Sequence, residues 1–272
     1  MMKNCLNNVR IKEPLVHCIT NFVTVNDCAN VVLACGGSPT MAHNEKETAE
    51  ITSGCSSLVL NMGTVDNLDA MINAGKKSNE LSHPIVLDPV AVGASSFRKN
   101  AFDELQKNMH FSVIRGNASE IKFIATGVGS VSGVDAAKED RISEKSAPYF
   151  ADMAKKLAEK LDCVISISGE IDIVASKDKA YLIKNGCAIM SRITGTGCML
   201  TSMIGAFCGA NPENILDATA AAVITMGVSG DLAYEKTLKC NGGTMTFKMH
   251  MIDQISLMDE ETLKERGRYE EF

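Results

Sequence analysis

The chain has no tryptophan, and aromatic residues fill only 5% of its 272 positions. That scarcity excludes a stacking platform for single-stranded nucleic acid, which needs aromatic faces along a basic groove. A surplus of basic charge is missing too: 27 lysines and arginines against 33 acidic residues leave a formal charge of −6. The resulting pI near 5.5 argues against nucleic acid as a partner, because phosphate backbones are held by basic faces. Small phosphate ligands stay open, since backbone N–H groups at a helix start bind them without a basic side chain. No two of the ten cysteines stand as C-x-x-C, and no two of the five histidines fall three or four residues apart. A zinc site built from sequence-local ligands is therefore not expected. No G-x-x-x-x-G-K-[ST] occurs, which excludes a P-loop at the level of motif. The opening Met1-Met2-Lys3-Asn4-Cys5 leads into polar sequence, so no secretory leader is expected there. The expected compartment is a reducing cytoplasm. The apolar-rich stretches around 194–216 and 218–230 are broken by Gly, Thr, Ser and Asn. They read as buried helices, and no membrane span is expected.

What is present is ordinary globular composition, 45% apolar and 22% charged, in a length that suits one large α/β domain over residues 1–272. Short apolar runs at Leu15–Ile19, Ser57–Met62, Pro84–Leu87, Phe111–Ile114 and Cys163–Ser168 read as strands. Several are apolar on both faces, as strands of a covered parallel sheet require. Between them helical patterns run over Val25–Ala34, Glu45–Ser53, Asp66–Ser78, Ala101–Asn108, Ser119–Ala125 and Ala147–Leu161. That alternation is the mark of βαβ units. After Ser168 the rhythm changes. Ile171–Ala175 and Ala180–Ile183 read as an antiparallel hairpin, followed by helical segments at Gly197–Cys208, Ile215–Tyr234 and Met245–Leu257. The tail Asp259–Phe272 reads as a charged, solvated end.

The most informative stretch is Thr194-Gly195-Thr196-Gly197-Cys198-Met199-Leu200-Thr201-Ser202, two glycines directly before an apolar helix pattern. Such a turn offers backbone N–H groups at the positive end of a helix, and Cys198 falls in that helix's first turn. A thiol there can ionise below its ordinary range. By itself Gly-x-Gly is also a common tight turn, in which Cys198 would be a small core residue. It is not a dinucleotide fingerprint, since Leu200 stands where the third glycine belongs.

Thr194–Cys198 resembles the anion-hole motif of the ribokinase-like kinases, whose usual form is G-x-G-D with a catalytic Asp. A cysteine in the Asp slot, followed by Leu200-Thr201-Ser202, is similar to the hydroxyethylthiazole kinases of thiamine salvage. Further segments resemble that family in order: Pro14–Asn21 with Val23–Asn26, Gly37–Ala42, Asn61–Thr64, Leu87–Val90, Arg115–Glu120 and Ser168–Asp172. The resemblance spans residues ~14 to ~210. It implies a three-layer α/β/α sandwich of the ribokinase-like type with a central, mostly parallel sheet, ligands lying at the strand carboxyl ends. The activity it implies is transfer of the ATP γ-phosphate to the alcohol of 4-methyl-5-(2-hydroxyethyl)thiazole.

Carried over by position, the resemblance implies that Met41 contacts the thiazole ring, with Asn21 and Gly195 placing the alcohol. Arg115 would reach the ATP phosphates, and Ser168, where the family usually has Thr, would line the nucleotide site. Asp88 and Glu120 would organise Mg²⁺, directly or through water. Cys198 would be the general base, and the N–H groups of Gly195, Thr196, Gly197 and Cys198 the anion hole. A homotrimer follows from the same resemblance. On the residues alone, Asp88 could cap a turn, Glu120 could face solvent and Arg115 could pair with a surface carboxylate. The Gly127–Gly133 run reads as a nucleotide-side lid or equally as a surface insertion. Two alternatives stand beside this function: another enzyme of the same fold (a hydroxymethylpyrimidine- or pyridoxal-type kinase or a nucleotide-repair dehydratase), and a non-catalytic thiazole- or nucleotide-binding protein.

Overall fold

The computed structural model describes residues 2, 4–127 and 140–272. Residues 128–133 of the run read above as lid or insertion lie outside them. Nine strands form one sheet in the order β2-β1-β3-β4-β5-β6-β7-β8-β9. They are β1 (Leu15–Ile19), β2 (Ser38–Thr40), β3 (Ser57–Asn61), β4 (Ile85–Asp88), β5 (Val113–Asn117), β6 (Val164–Ser168), β7 (Asp172–Ala175), β8 (Ala180–Ile183) and β9 (Tyr269–Glu271). Pairing from β2 through β6 is parallel, and the last three strands add antiparallel.

Alternate side chains of each strand feed two separate cores, because successive Cβ atoms point to opposite faces. Val16, Cys18, Val59, Val86 and Val113 pack under one helical layer. It holds α1 (Cys5–Lys12), α2 (Val25–Cys35), α8 (Thr196–Ala210), α9 (Ile215–Lys239) and α10 (Thr244–Leu257). Leu58, Leu60, Ile85, Leu87 and Ile114 pack under the other. That layer holds α3 (Thr48–Ser53), α4 (Leu68–Glu80), α5 (Ser96–Asn108), α6 (Ala118–Thr126) and α7 (Ala147–Leu161). Leu58, Leu60, Ile85 and Leu87 are wholly buried, and each such side chain stabilises the fold by roughly 1.5–3 kcal/mol. The expected three-layer α/β/α architecture is what forms. Helix α9 is long and apolar enough to cross a membrane, yet 78% of its apolar window is buried in the fold. It is a core helix.

Four elements depart from the sequence expectation. Helix α1 was not expected, because only Cys5, Leu6 and Val9 mark its buried face. The three residues of β2 sit in what reads as a loop, paired with β1 at the register His17↔Thr40. The tail is not a free solvated end. Asp259 caps a helix α11 (Glu260–Arg266) by accepting from Thr262 N at 2.7 Å. Strand β9 then pairs with β8, Ala180 and Phe272 exchanging N–H···O bonds of 2.9 and 2.8 Å. Its side chains stay exposed and two of the three, Glu270 and Glu271, are acidic, as suits an edge strand that must not template further pairing. That is why it reads as solvated.

All parallel strands deliver their carboxyl ends to one edge. β3 ends on Asn61 and β4 on Asp88, directly opposite in register; β5 ends on Asn117 and β6 on Ser168, also opposite. The order β2-β1-β3 makes the gap between β1 and β3 a switch point, where α/β sheets open a crevice for ligands.

Candidate active site

Helix α8 begins in that crevice. Gly195 is its N-cap with φ 91°, left-handed backbone that glycine adopts without strain, and no side chain caps the helix. The amides of Thr196, Gly197 and Cys198 therefore have no acceptor within the helix and stand at its positive end. A Cβ on Gly197 would lie 2.6 Å from Arg115 Nη1. The glycine is what lets a guanidinium cross the turn.

Around Cys198 the orientation of two amides can be assigned from backbone donors. Asn21 Oδ1 accepts from Val23 N (3.1 Å), Thr24 N (3.2 Å) and the Thr24 hydroxyl (3.1 Å). Its Nδ2 is thereby aimed at Cys198 Sγ (3.3 Å) and Asn61 Oδ1 (3.1 Å). Asn61 Oδ1 also accepts from Gly63 N at 2.8 Å. Its own Nδ2 then donates to Asp88 Oδ2 (3.1 Å) and Cys198 Sγ (3.4 Å). The sulfur thus receives two amide N–H groups, the arrangement that suits a thiolate. Burial nevertheless pushes the Cys198 thiol up, Asp88 adds to this, and the neighbouring Thr24 and Asn21 side chains and the charge of Arg115 only partly offset it. Helix position alone pointed to a thiol that can ionise lower; burial and the carboxylate beside it act in the opposite direction.

Asp88 is 2% exposed. Its Oδ2 accepts from Thr201 Oγ1 at 2.8 Å and lies 3.5 Å from Arg115 Nη1. Arg115 Nη2 donates to Ser168 Oγ. Arg115 Nε is buried with no partner among the described residues. Burial raises the Asp88 carboxyl, while Arg115, Thr201 and Asn61 pull it back. Neither Asp88 nor Arg115 is a surface residue with an incidental partner.

Glu120 is equally far from a solvent-facing position. Oε1 accepts from Ala91 N and Oε2 from Asn117 N, both at 2.8 Å, while Asn117 Oδ1 accepts from Glu120 N at 2.9 Å. This is a capping box that also grips the loop after β4. Burial first, then the charge of Asp88, pushes the Glu120 carboxyl up to about 7. Asp88 and Glu120 are two buried hard carboxylates close enough for the charge of one to act on the other, and by donor chemistry they suit Mg²⁺, which takes one or two carboxylates and completes its shell with phosphate and water. Among the described residues no group of three or more His, Cys, Asp or Glu is placed to cage a metal.

The structure thus gathers Asn21, Asp88, Arg115, Ser168 and Gly195–Cys198 at one sheet edge, with Glu120 behind Asp88. Met41 is not hydrogen-bonded into this set. It follows β2 on the same edge, half-buried against the core cluster that includes Met199. His17 is structural, its Nε2 on the Ala42 carbonyl at 3.0 Å and Nδ1 on Thr52 Oγ1 at 2.8 Å. Sequence reasoning missed Asn61, Thr24 and Thr201 as site residues. A signal existed for two of them: Asn61 ends a buried apolar strand as Asp88 ends the next, and Thr201 lies three residues beyond Cys198 on the same helix face.

A family model described as the Hydroxyethylthiazole kinase family matches residues 6–261. The hydroxyethylthiazole kinase of Clostridium acetobutylicum is 45% identical over 274 aligned positions, covering 100% of both chains. Among solved structures, the hydroxyethylthiazole kinase of Pyrococcus horikoshii OT3 superposes with a TM-score of 0.87 at 31% identity, covering 100% of this chain and 98% of that one. A ribokinase-like superfamily protein from Enterococcus faecalis shares the fold, with a TM-score of 0.57 at 11% identity over 92% of this chain and 89% of its own. The fold, the composition of the sheet edge and these full-length matches converge: the chain belongs to the hydroxyethylthiazole kinase family.

Proposed function

We propose that the chain transfers the γ-phosphoryl group of ATP to the primary alcohol of 4-methyl-5-(2-hydroxyethyl)thiazole, in thiamine salvage. The observation that carries this reading is the convergence on Cys198. Its sulfur sits in the first turn of an uncapped helix, takes N–H donors from Asn21 and Asn61, and faces the Asp88–Arg115 pair. Phosphoryl transfer needs little covalent chemistry from a protein; it needs alignment and neutralisation of charge.

In this reading Cys198 accepts the proton of the alcohol as its oxygen bonds to phosphorus and the bond to the departing ADP oxygen breaks. Asn21 and Gly195 place the alcohol, Asn21 through the same amide that reaches the sulfur. The amides of Gly195, Thr196, Gly197 and Cys198 receive the equatorial oxygens of the transferring group. Arg115 contributes its charge there; the unpartnered Nε and the closeness of Gly197 support this role. Ser168, bonded to Arg115, lines the nucleotide side, and Met41 borders the thiazole ring. Asp88 and Glu120 would hold Mg²⁺, which supplies neutralisation of the phosphates. The raised thiol means that Cys198 works best on the alkaline side of neutrality.

The protein is read as a cytoplasmic homotrimer. Support for assembly comes from exposed apolar side chains on α9 and α10: Leu238, Met245 and Met249 are 58%, 71% and 55% exposed. Such side chains mark contact surfaces when they cluster. The substrate assignment is tested by ADP release with the thiazole alcohol, hydroxymethylpyrimidine, pyridoxal or no acceptor. Turnover with the thiazole alcohol well above the others is expected. Preference for a pyrimidine or pyridoxal would replace the substrate, and binding of ATP without turnover on any acceptor would remove the enzyme.

A further inference from the structure

We propose that Arg98, on α5, is a positioning residue for the phosphoryl-transfer site, acting on Cys198 and Asp88 through Asn61; this rests on the kinase reading above. Arg98 lies in the first turn of α5, whose N-cap Ser95 accepts from Arg98 N at 3.2 Å. Its side chain turns back to the carboxyl edge of the sheet and is half-buried. There the guanidinium meets no carboxylate among the described residues. It donates instead to three backbone carbonyls on two loops: Nη1 to Met62 O and to Val90 O (3.1 Å), and Nη2 to Gly63 O (3.1 Å). One loop directly follows Asn61, the other directly follows Asp88.

The consequence runs through one peptide. Gly63 N is the shorter of the two donors that fix Asn61 Oδ1, at 2.8 Å against 3.1 Å for Asn21 Nδ2. Asn61 Nδ2 is thereby turned onto Asp88 Oδ2 and Cys198 Sγ. By holding the carbonyls of Met62 and Gly63, Arg98 holds the Gly63 amide in place. On the second loop, Ala91 has φ 56°, a left-handed conformation that costs energy for a residue with a Cβ. That residue is gripped from both sides: Glu120 accepts its N–H at 2.8 Å, and Arg98 holds the preceding carbonyl of Val90. A planar, permanently charged fork with several N–H donors can span two loops; an ammonium is a single point.

The test is a double-mutant cycle on kcat with the thiazole alcohol and ATP, using wild type, Arg98→Ala, Asn61→Ala and the double variant, with folding checked by thermal unfolding. Arg98→Ala is expected to lower kcat about 10- to 100-fold, the scale of misplacing a reacting group. The KM for ATP should stay within about threefold, since binding contacts are untouched. In the Asn61→Ala background, Arg98→Ala should cost less than about twofold more, because the two act as one unit. The pH dependence of Cys198 alkylation by iodoacetamide, followed by peptide mass spectrometry, should shift alike in both single variants. Should Arg98→Ala not fold, Arg98→Lys keeps the charge without the fork and is expected to lower kcat at unchanged KM for ATP. Losses that multiply in the double variant, or an unshifted alkylation profile, would overturn the role of Arg98. Wild type without turnover would instead overturn the kinase reading.

Discussion

At the residue scale, two positions, Gly197 and Arg115, decide whether the turn before α8 is an anion hole. A Cβ on Gly197 has to displace Arg115, whose Nη1 would be 2.6 Å away. Gly197→Val is therefore expected to lower kcat about 100-fold, the scale of losing one preorganised donor, with a smaller loss of Tm. A normally folded variant at wild-type kcat would remove the anion hole from the account. Arg115→Ala should raise the KM for ATP about 10-fold or more, as charge-assisted bonds contribute roughly 1.5–3 kcal/mol. The KM for the thiazole alcohol should move less; equal changes in both would place Arg115 away from the phosphates. Arg115→Ala also leaves Asp88 buried without its cation, so its Tm should fall with its affinity. Gly197 stood out as part of a Gly-x-Gly turn before a helix, whereas Asp88 and Arg115 were singled out through the family resemblance, each keeping a merely structural reading on the residues alone. Asn61 was not legible, since a neutral amide reveals its direction only once the Gly63 and Asn21 donors are in space. Nor was the raised thiol: helix position is visible in sequence, whereas the neighbouring Asp88 arrives from β4.

At the element scale, the parallel strands and their helices were legible from period and composition. The strand at Leu15–Ile19 and helix α7 coincide with the expected bounds. Of the elements that escaped, β2 and β9 are stabilised by pairing rather than by apolar pattern, and α1 and α11 are short helices that bury few side chains or none. The junction of β5 and α6 carries a prediction of its own. Glu120 bridges that junction to the loop after β4, with its carboxyl pushed up to about 7 from an ordinary value near 4.5. A carboxyl raised in the folded state favours folding below about pH 4.5, and the benefit is lost as pH rises to about 7. In metal-free buffer, Tm of wild type relative to Glu120→Gln should therefore decline between those limits. A constant difference would mean that the carboxyl does not titrate there. The same variant should need more Mg²⁺ for half-maximal turnover; an unchanged Mg²⁺ titration would leave Glu120 with only its capping box.

At the scale of the whole molecule, one sheet edge collects groups from widely separated segments, Asn21 through Cys198, because parallel strands deliver all their carboxyl ends to one side. Family membership was legible for the same reason: apart from Thr194–Cys198, which opens α8, each quoted segment ends or follows a strand at that edge. The surface was less legible, since assembly depends on which apolar side chains the folding chain leaves uncovered. Light scattering should give three times the 29.1 kDa chain mass; a monomer would leave Leu238, Met245 and Met249 to another partner. The central claim is that Cys198 takes the proton of the alcohol. Its most direct test is kcat against pH for wild type, Cys198→Ala, Cys198→Ser and Cys198→Asp. Because burial and Asp88 raise the thiol, wild-type kcat should still be rising above about pH 8, toward and beyond the ordinary thiol range. Cys198→Ala should fall about 10²–10⁴-fold, the usual loss of a general base, and lose that rise. Cys198→Ser should be poor, while Cys198→Asp should retain substantial activity with a flat profile above neutrality. Cys198→Ala at near-wild-type kcat with the same pH dependence, or a phosphocysteine trapped during turnover, would contradict the account.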